Sequence, residues 1–201
     1  MTKRFANLTK IPEQPASRLL AAGNAKLREK INAPASASVE VVLTELESKE
    51  AWIDMVRLMS VALPPRECVW WACLAGRQIL GAKGQSVCLD AAEAWVFDPS
   101  DANRIRVQEV LENEASGDLT APAATAALYA PGNLGPGNLA EHPAPPGIVG
   151  ACGFGINLRT LKVVDDLDVQ FHLIIDRALD IARGGNGQVK PRAPLKEAGD
   201  A

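Results

Sequence analysis

Long apolar runs are missing from this 201-residue sequence. The longest one near the start is Leu19 to Ala22, which is too short for the core of a signal peptide. No run approaches the roughly 18 consecutive apolar residues that indicate a membrane-spanning helix. We therefore expect a protein that is not inserted in a membrane and that stays in the cytoplasm.

Residues that hold metals and cofactors are also scarce. The chain has two histidines and four cysteines, and the cysteines show none of the close paired spacings of a zinc site. They lie in apolar stretches, so we interpret them as small buried hydrophobes of a cytosolic chain: Cys68, Cys73, Cys88 and Cys152. We expect no metal and no cofactor.

Strand patterns are poor, because no alternating β-branched run appears, whereas apolar residues recur at helical spacing along most of the chain. Only 4% of the residues are aromatic, but 47% are hydrophobic, which suffices for one good core in a chain of this length. The sequence therefore predicts a single all-α domain of about seven or eight helices in antiparallel pairs, as a helical bundle or HEAT-like array.

Charge is divided unevenly along the chain. Residues 1–35 hold seven Lys/Arg and two acidic residues, and residues 36–183 hold eleven and twenty, which gives net charges of +5 and −9. We predict a flexible basic N-terminal arm over 1–36, a helical domain over 37–183 and a disordered C-terminal tail over 184–201. The arm is either a solvated lead-in or contains a short basic helix that orders against a partner. The acidic body argues against nucleic acid as the main ligand.

Periodicity and caps place the individual helices. We predict helices over 39–47, 50–63, 66–80, 87–97, 101–115, 120–130, 147–158 and 168–183. Very short turns join the first three, so these should pack as antiparallel hairpins. Residues 131–147 are rich in proline and glycine and form a surface loop or a hinge. The small residues of 147–158 favour a closely packed helix, with a strand as the alternative.

The stretch PPRECVWWACLAGRQIL, from Pro64 to Leu80, is apolar on several faces. Its adjacent tryptophans would leave a helix axis about 100° apart and cannot both face one neighbour. Such a helix is typically enclosed by others, so we expect the fold to be arranged around it. We expect at least three of the four tryptophans to be in the core: Trp52, Trp70, Trp71 and Trp95.

If one of the two adjacent tryptophans is exposed, it becomes an anchor for a partner protein, because tryptophan and arginine are enriched among residues that dominate binding energy. The predicted binding residues are therefore Arg66, Glu67, Trp70, Trp71 and Arg77.

Candidates for catalysis are weaker. His172 has Asp168 four residues before it and Asp176 four residues after it, a spacing that could tune a general acid or base. Exposed pairs at this spacing are common in helices, so we favour a structural role. The aspartates 165, 166 and 168 lack the glycine and distal glutamate of a calcium loop, and acidic residues at a helix start are favoured by the dipole alone.

Two motifs resemble a known family. LPPRECVWWACLAGR, from Leu63 to Arg77, is similar to the PPRE-x-VWWAC signature of an uncharacterised bacterial family of helical proteins, and the chain looks DUF6931-like. AEAWVFDPSDANR, from Ala92 to Arg104, resembles the next segment of that family. The likeness covers roughly residues 38 to 183. It implies a helical accessory protein of the kind encoded near type VI secretion genes, and it implies no catalytic residue.

We therefore expect a non-enzymatic protein-binding or adaptor protein whose partner is another protein. One alternative is an enzyme or small-ligand-binding protein with a site around His172, in which Asp168 and Arg66 share a cleft. Another is an immunity-type protein whose acidic body binds a basic toxin. The oligomeric state stays open.

Overall fold

A computed structural model describes residues 3–113 and 117–192. The α-helices of these residues are α1 Ala16–Ala22, α2 Val39–Ser48, α3 Trp52–Ala62, α4 Pro65–Leu80, α5 Val87–Phe97, α6 Asp101–Glu112, α7 Ala121–Tyr129, α8 Ile148–Arg159 and α9 Leu167–Ala182. Three short 3₁₀ helices accompany them, and the described chain contains no strand beyond one isolated bridge between Asn133 and Pro143. The predicted all-α class is confirmed.

Local chemistry explains where many helices begin. Ser38, Ser86 and Ser100 each precede a helix and accept a hydrogen bond from the backbone N–H three residues on. Asp166 does the same for α9, where its charge also meets the positive end of the helix dipole. Pro65 opens α4 at a position where its missing N–H has no cost. These caps are readable in the sequence, which is why the predicted helix starts lie within about two residues of the observed ones.

Helix α4 lies at the centre of the fold, as predicted. It contacts α5, α7, α8 and α9, and its residues contribute to two separate hydrophobic clusters. Trp71 and Val69, on different faces of α4, are both completely buried. The apolar character of several faces therefore reflects enclosure from several sides.

The predicted hairpin of α3 with α4 is wrong. The two helices are not a main packing pair, and α8 packs against both. Leu63 and Pro64 are both extended, which redirects the chain between the two helices. The glycines of α8 make room for its insertion, since a Cβ on Gly150 would lie 2.9 Å from the Ser60 carbonyl oxygen of α3, and one on Gly153 would lie 2.6 Å from Cys68 Sγ of α4.

The two hydrophobic clusters differ in side-chain size. The large-residue cluster joins the N-terminal segment, α2, α3 and α9, and its fully buried side chains include Phe5, Leu43, Leu58, Met59, Trp71 and Ile174. The alanine cluster joins α4, α5, α7 and α8, and it includes Ala72, Ala75, Ala91, Ala92, Ala123, Ala124, Ala126 and Ala127. Fewer tryptophans are buried than predicted: Trp71 and Trp95 are buried, whereas Trp52 and Trp70 are half-buried at the edges of the clusters.

The N-terminal segment lies on the body of the protein. Phe5 is 1% exposed in the large-residue cluster, and the Lys10 backbone N–H donates to the Ala182 carbonyl oxygen at 2.8 Å. The short basic helix predicted as one alternative for this arm is present only as α1. The contacts that hold the segment on the body come from residues far away in the sequence, and the charge pattern of the arm does not reveal them.

The C-terminal segment is also in contact with the body as far as residue 192. The Trp70 indole donates to the Asn186 carbonyl oxygen, the Gly187 N–H donates to Asp180, and Arg192 pairs with Asp176, each at 2.8 Å. Trp70 lies on the distant helix α4, and the two aspartates lie on α9 directly before the tail, so the composition of the tail alone does not reveal these contacts. The rest of the predicted tail, 193–201, lies outside the described residues, as does the end of the predicted 101–115 helix.

The predicted loop 131–147 contains a 3₁₀ helix over Gly137–Glu141. The buried side chain of Arg104 anchors its start, with Nε donating to the Leu128 carbonyl oxygen at 2.8 Å and a terminal nitrogen donating to that of Asn133 at 3.0 Å. In the part of the chain that the structure describes, no helix is long and apolar enough to cross a membrane.

Candidate functional site: the Trp70 cleft

Three of the five predicted binding residues lie together at the start of α4. Arg66, Glu67 and Trp70 line a cleft of about 270 Å³. We call it the Trp70 cleft, and its other lining residues come from the N-terminal segment, α5 and the end of α9: Lys10, Val96, Ile181, Gly184 and Gly185. Elements from both ends of the chain therefore complete a site that begins in the PPRE motif.

Trp70 presents a partly exposed aromatic surface at this cleft. Its ring lies 5.6 Å from the ring of Phe97, with 64° between the two planes, which is the edge-to-face arrangement that aromatic pairs prefer. Its indole N–H is satisfied by the Asn186 carbonyl oxygen. Phe97 is 71% exposed although it is a large apolar residue. The pair is therefore a fixed apolar surface that water still reaches.

Charged groups flank the aromatic pair. Lys10 Nζ lies 3.1 Å from Glu67 Oε1. Arg66 donates from Nε to the Val96 carbonyl oxygen at 2.7 Å, and it forms no ion pair with any described residue. The backbone contact holds the Arg66 side chain in place while its terminal nitrogens remain able to donate to a carboxylate or carbonyl of another molecule.

The other two predicted residues lie elsewhere. Trp71 is fully buried, and its indole donates to the Ile174 carbonyl oxygen of α9 at 3.1 Å, so it supports the core and cannot touch a partner. Arg77 lies further along α4 and is engaged by Asp90 at 2.7 Å and by Glu93 at 2.8 Å. The hydrogen bond with Glu93 is the main reason that the pKa of Arg77 is raised.

His172 is not part of the Trp70 cleft. Its ring packs edge-on against Trp52 with 4.7 Å between centroids, and its Nε2 is 3.8 Å from Asp168. Burial, with smaller contributions from Arg192 and Arg4, lowers the pKa of His172, so the ring is largely neutral at pH 7. Arg66, which the enzyme alternative places beside it, lines the Trp70 cleft instead. The structure does not assemble that predicted catalytic group.

The cysteines do not offer a reactive thiol. Cys68, Cys73 and Cys88 are buried, and none of the four cysteines forms a disulfide with another described residue. Burial raises the pKa of Cys68 to about 12 and that of Cys152 to about 11, so both remain protonated thiols. Across residues 3–113 and 117–192, no cluster of three or more potential metal ligands is present.

The sequence reasoning missed Phe97 and Lys10 as members of this surface. Phe97 is the last residue of α5, directly before the Asp98–Pro99 stop, and a large apolar residue at a helix end is a usable signal of an exposed anchor. Lys10 carries no such signal, because only the folded N-terminal segment brings it to Glu67.

The chain was compared with models of protein families, with curated proteins and with solved structures. Residues 42–182 match the model of DUF6931, described as a family of unknown function. No curated protein and no solved structure matches the chain. The matched region runs from α2 to the end of α9 and includes Arg66, Glu67, Trp70 and Phe97, whereas Lys10 precedes it. With about seven-tenths of its length matched, the chain belongs to the DUF6931 family.

Proposed function

We propose that this protein is a non-enzymatic binding or adaptor protein that docks another protein at the Trp70 cleft. The observation that carries the proposal is the exposure of Phe97 against a half-buried Trp70 whose polar atom is already satisfied. When a partner binds, such a pair loses little more than its contact with water, because its polar atom keeps its hydrogen bond. Aromatic residues and arginine are enriched among the residues that dominate the binding energy of protein interfaces.

The chemistry near the cleft supports binding more than catalysis. The polar groups there are Lys10, Arg66 and Glu67, of which Lys10 and Glu67 neutralise each other. No serine, threonine, cysteine or histidine lines the cleft, so it holds no hydroxyl or thiol nucleophile beside a histidine base. Free arginine donors and an aromatic surface are the groups that recognise a peptide backbone or a carboxylate of a partner.

The resemblance to accessory proteins encoded near type VI secretion genes supports a secretion machine as the setting. The surface supports the adaptor role, and only the resemblance supports the secretion setting.

A pull-down with the full tagged chain in its native host tests the proposal. Three proteins are compared: the wild type, Phe97→Ser, and the control Val87→Ser, which changes another exposed apolar residue on the same helix. We expect wild type and control to recover the same partner, and Phe97→Ser to recover it about tenfold less efficiently. Equal recovery by all three, or a monomer without any partner in every condition, contradicts the proposal.

A further inference from the structure

A guanidinium without a counter-ion lies between α9 and α4. Arg177 of α9 is half-buried, and its Nη1 donates to Gln78 Oε1 of α4 at 2.7 Å. Within the described residues this is its one hydrogen bond, and it forms no ion pair with any of them. A charge that is partly removed from water is costly unless it is paired and hydrogen-bonded. Arg177 therefore has a charge that the fold leaves uncompensated.

Other arginines that are shielded from water differ from Arg177 in this respect. Arg4 and Arg57 are paired with carboxylates, Arg4 with two of them. Arg104 is 3% exposed and has no carboxylate, but it donates three hydrogen bonds to backbone and side-chain oxygens. Arg177 has a single neutral amide oxygen. The absence of a counter-ion is thus a property of this position and not of buried arginines in this fold.

The two aspartates closest to Arg177 along α9 do not supply the counter-ion. Asp176 is paired with one arginine before α1 and one after α9. Asp180 accepts a hydrogen bond from the backbone N–H of Gly187 at 2.8 Å. Burial lowers the pKa of Arg177, whereas a close carboxylate would raise it. The charge of Arg177 is therefore not balanced by its neighbours on the same helix.

A chain of amide and hydroxyl groups fixes the oxygen that holds Arg177. The Thr160 hydroxyl donates to the Asn157 carbonyl oxygen at 2.6 Å, so it can only accept from Gln170 Nε2, which lies 2.6 Å away. Gln170 Oε1 is then left to accept from Gln78 Nε2 at 2.8 Å. Gln170 is 3% exposed and Thr160 is completely buried. This chain orients the Gln78 amide, so its Oε1 faces Arg177.

Arg177 retains donors for a ligand. Only Nη1 is engaged, which leaves the edge formed by Nη2 and Nε. Neither of these nitrogens is among the buried polar atoms without a hydrogen bond, so both are reached by water. Two parallel N–H bonds from such an edge are the geometry in which arginine binds a carboxylate. One guanidinium also matches the single charge of a carboxylate better than the nearly double charge of a phosphate monoester.

We propose that Arg177, held by Gln78, is a binding site for one carboxylate group, either of an acidic side chain in a partner protein or of a small organic acid. The ligand would supply the missing counter-ion to a guanidinium that is already oriented, so little conformational freedom is lost on binding. Neither residue lines the Trp70 cleft. The site can therefore fail without affecting the proposed function, and the reverse also holds.

Thermal melting of the full chain with added anions tests the proposal. The probes are acetate, phosphate, chloride, and two acetylated, amidated tripeptides with glutamate or glutamine between two leucines, all at equal ionic strength. Anions also stabilise proteins by exclusion from the surface, so the quantity compared is the shift in wild type minus that in Arg177→Met. We expect acetate and the glutamate peptide to give a difference of about 1–3 °C, and chloride and the glutamine peptide to give none.

The two carboxylate probes distinguish the source of the ligand. If the glutamate peptide reaches the difference at about tenfold lower concentration than acetate, the site takes an acidic side chain of a protein, because the apolar neighbours of the glutamate add to binding. If acetate is equally effective, the site takes a small organic acid. Both results support a carboxylate site at Arg177.

Three further variants test the assignment. Arg177→Lys should keep a smaller shift, because an ammonium group cannot bind a carboxylate through two parallel bonds. Gln78→Glu places a carboxylate beside the guanidinium and should abolish the shift. The control is Arg106→Met, which removes an exposed arginine of α6 that forms no ion pair with a described residue, and it should keep the full shift.

Three outcomes overturn the proposal. The first is an equal shift in wild type and Arg177→Met for both carboxylate probes up to about 0.1 M. The second is a larger difference with phosphate than with acetate, which would make the ligand a phosphate. The third is an Arg177→Met protein that melts several degrees below wild type without added anion, because the guanidinium would then already be compensated within the fold.

Discussion

The large-residue cluster and the alanine cluster bury apolar surface in two different ways. The first fills the space between α2, α3 and α9 with leucine, isoleucine, methionine and one tryptophan. The second brings α4, α5, α7 and α8 so close together that alanine is mostly sufficient to fill the gap. Interiors are packed to similar density whatever the side chains, so the first cluster is sensitive to loss of volume and the second to gain of volume.

The difference also bears on function. Close packing in the alanine cluster places the helix backbones in nearly fixed positions, and Phe97 and Trp70 lie on two helices that meet there. Trp52 lies at the edge of the large-residue cluster, where α2 turns into α3 and the N-terminal segment joins the body. The Trp70–Phe97 pair lies on closely packed helices, whereas Trp52 lies beside the N-terminal segment. We therefore expect these two surfaces to respond differently to substitutions in the core.

The largest effect is expected from Trp71→Ala in the large-residue cluster. It removes a completely buried indole and leaves the Ile174 carbonyl oxygen without this donor, so we expect the free energy of unfolding to fall by about 3–5 kcal/mol. Urea denaturation followed by circular dichroism measures it. Trp70→Ala is the control, because the same change at a half-buried neighbour should cost less than half as much. Equal losses would mean that Trp71 is not enclosed.

The next effect is expected from Ala124→Leu in the alanine cluster. Ala124 is completely buried on α7, and a leucine there must push neighbouring helices apart, so unfolding free energy should fall by about 1–3 kcal/mol. The same substitution at the exposed Ala102 of α6 should change it by no more than about 0.5 kcal/mol. If both variants are equally stable, the alanine cluster contains unfilled space and the contrast between the clusters is wrong.

Two glycines of α8 provide a finer test of close packing. A Cβ at Gly153 would lie 2.6 Å from Cys68 Sγ, whereas a Cβ at Gly155 meets nothing within 4 Å. Gly153→Ala should therefore destabilise the protein by about 1–2 kcal/mol, and Gly155→Ala should stabilise it by about 0.5–1 kcal/mol through helix propensity. Thermal melting of both variants measures whether the two changes in stability have opposite signs. Shifts of the same sign would show that α8 is not inserted between α3 and α4.

The smallest effect concerns pH at the edge of the large-residue cluster. The pKa of His172 is lowered from 6.5, so the unfolded chain binds this proton more readily than the folded one. The stability due to the neutral ring is complete above pH 6.5 and is lost as the pH falls below that value towards the lower folded pKa. His172→Phe keeps an aromatic ring against Trp52 but cannot bind a proton. The denaturation midpoint of this variant should therefore depend less on pH over this range than that of the wild type.

A second titration can be kept apart from that of His172. The hydrogen bond with Lys49 is the main reason that the pKa of Glu45 is lowered from 4.5 to about 2. Its stabilising effect is present above pH 4.5 and is lost as the pH falls from 4.5 towards 2, whereas the loss due to His172 begins already at pH 6.5. A wild-type midpoint that stays constant as the pH falls from 6.5 to 4.5 would contradict the assigned surroundings of His172.

Much of the fold could be predicted from local chemistry. The serine caps, the Asp98–Pro99 stop and the helical spacing of apolar residues act within a few residues, so the helix ranges follow from reading neighbours. The central position of α4 followed from its adjacent tryptophans for the same reason. The wrong prediction of an α3–α4 hairpin shows the limit of local chemistry. The short linker determines only that α3 and α4 follow each other in the chain, whereas the glycines of the distant helix α8 determine which helices are in contact.

The candidate site was predictable only in part. Arg66, Glu67 and Trp70 follow one another at helical spacing, so one short motif places them on one side of α4. Trp71 was included because sequence cannot tell which of two adjacent indoles faces inward. Lys10 reaches the cleft, and Phe97 reaches the ring of Trp70, through contacts between residues far apart in the chain, and no local pattern indicates such contacts.

By itself, the sequence determined that the chain is helical, approximately where α2 to α9 begin and end, and that the segment after Pro64–Pro65 is enclosed, since these properties depend on interactions between near neighbours. The tertiary structure alone decided which tryptophan remains accessible, that α8 separates α3 from α4, and that the described segments before α1 and after α9 contact α9. Those outcomes depend on fitting side-chain volumes from distant helices together, and no local stretch of sequence contains that information.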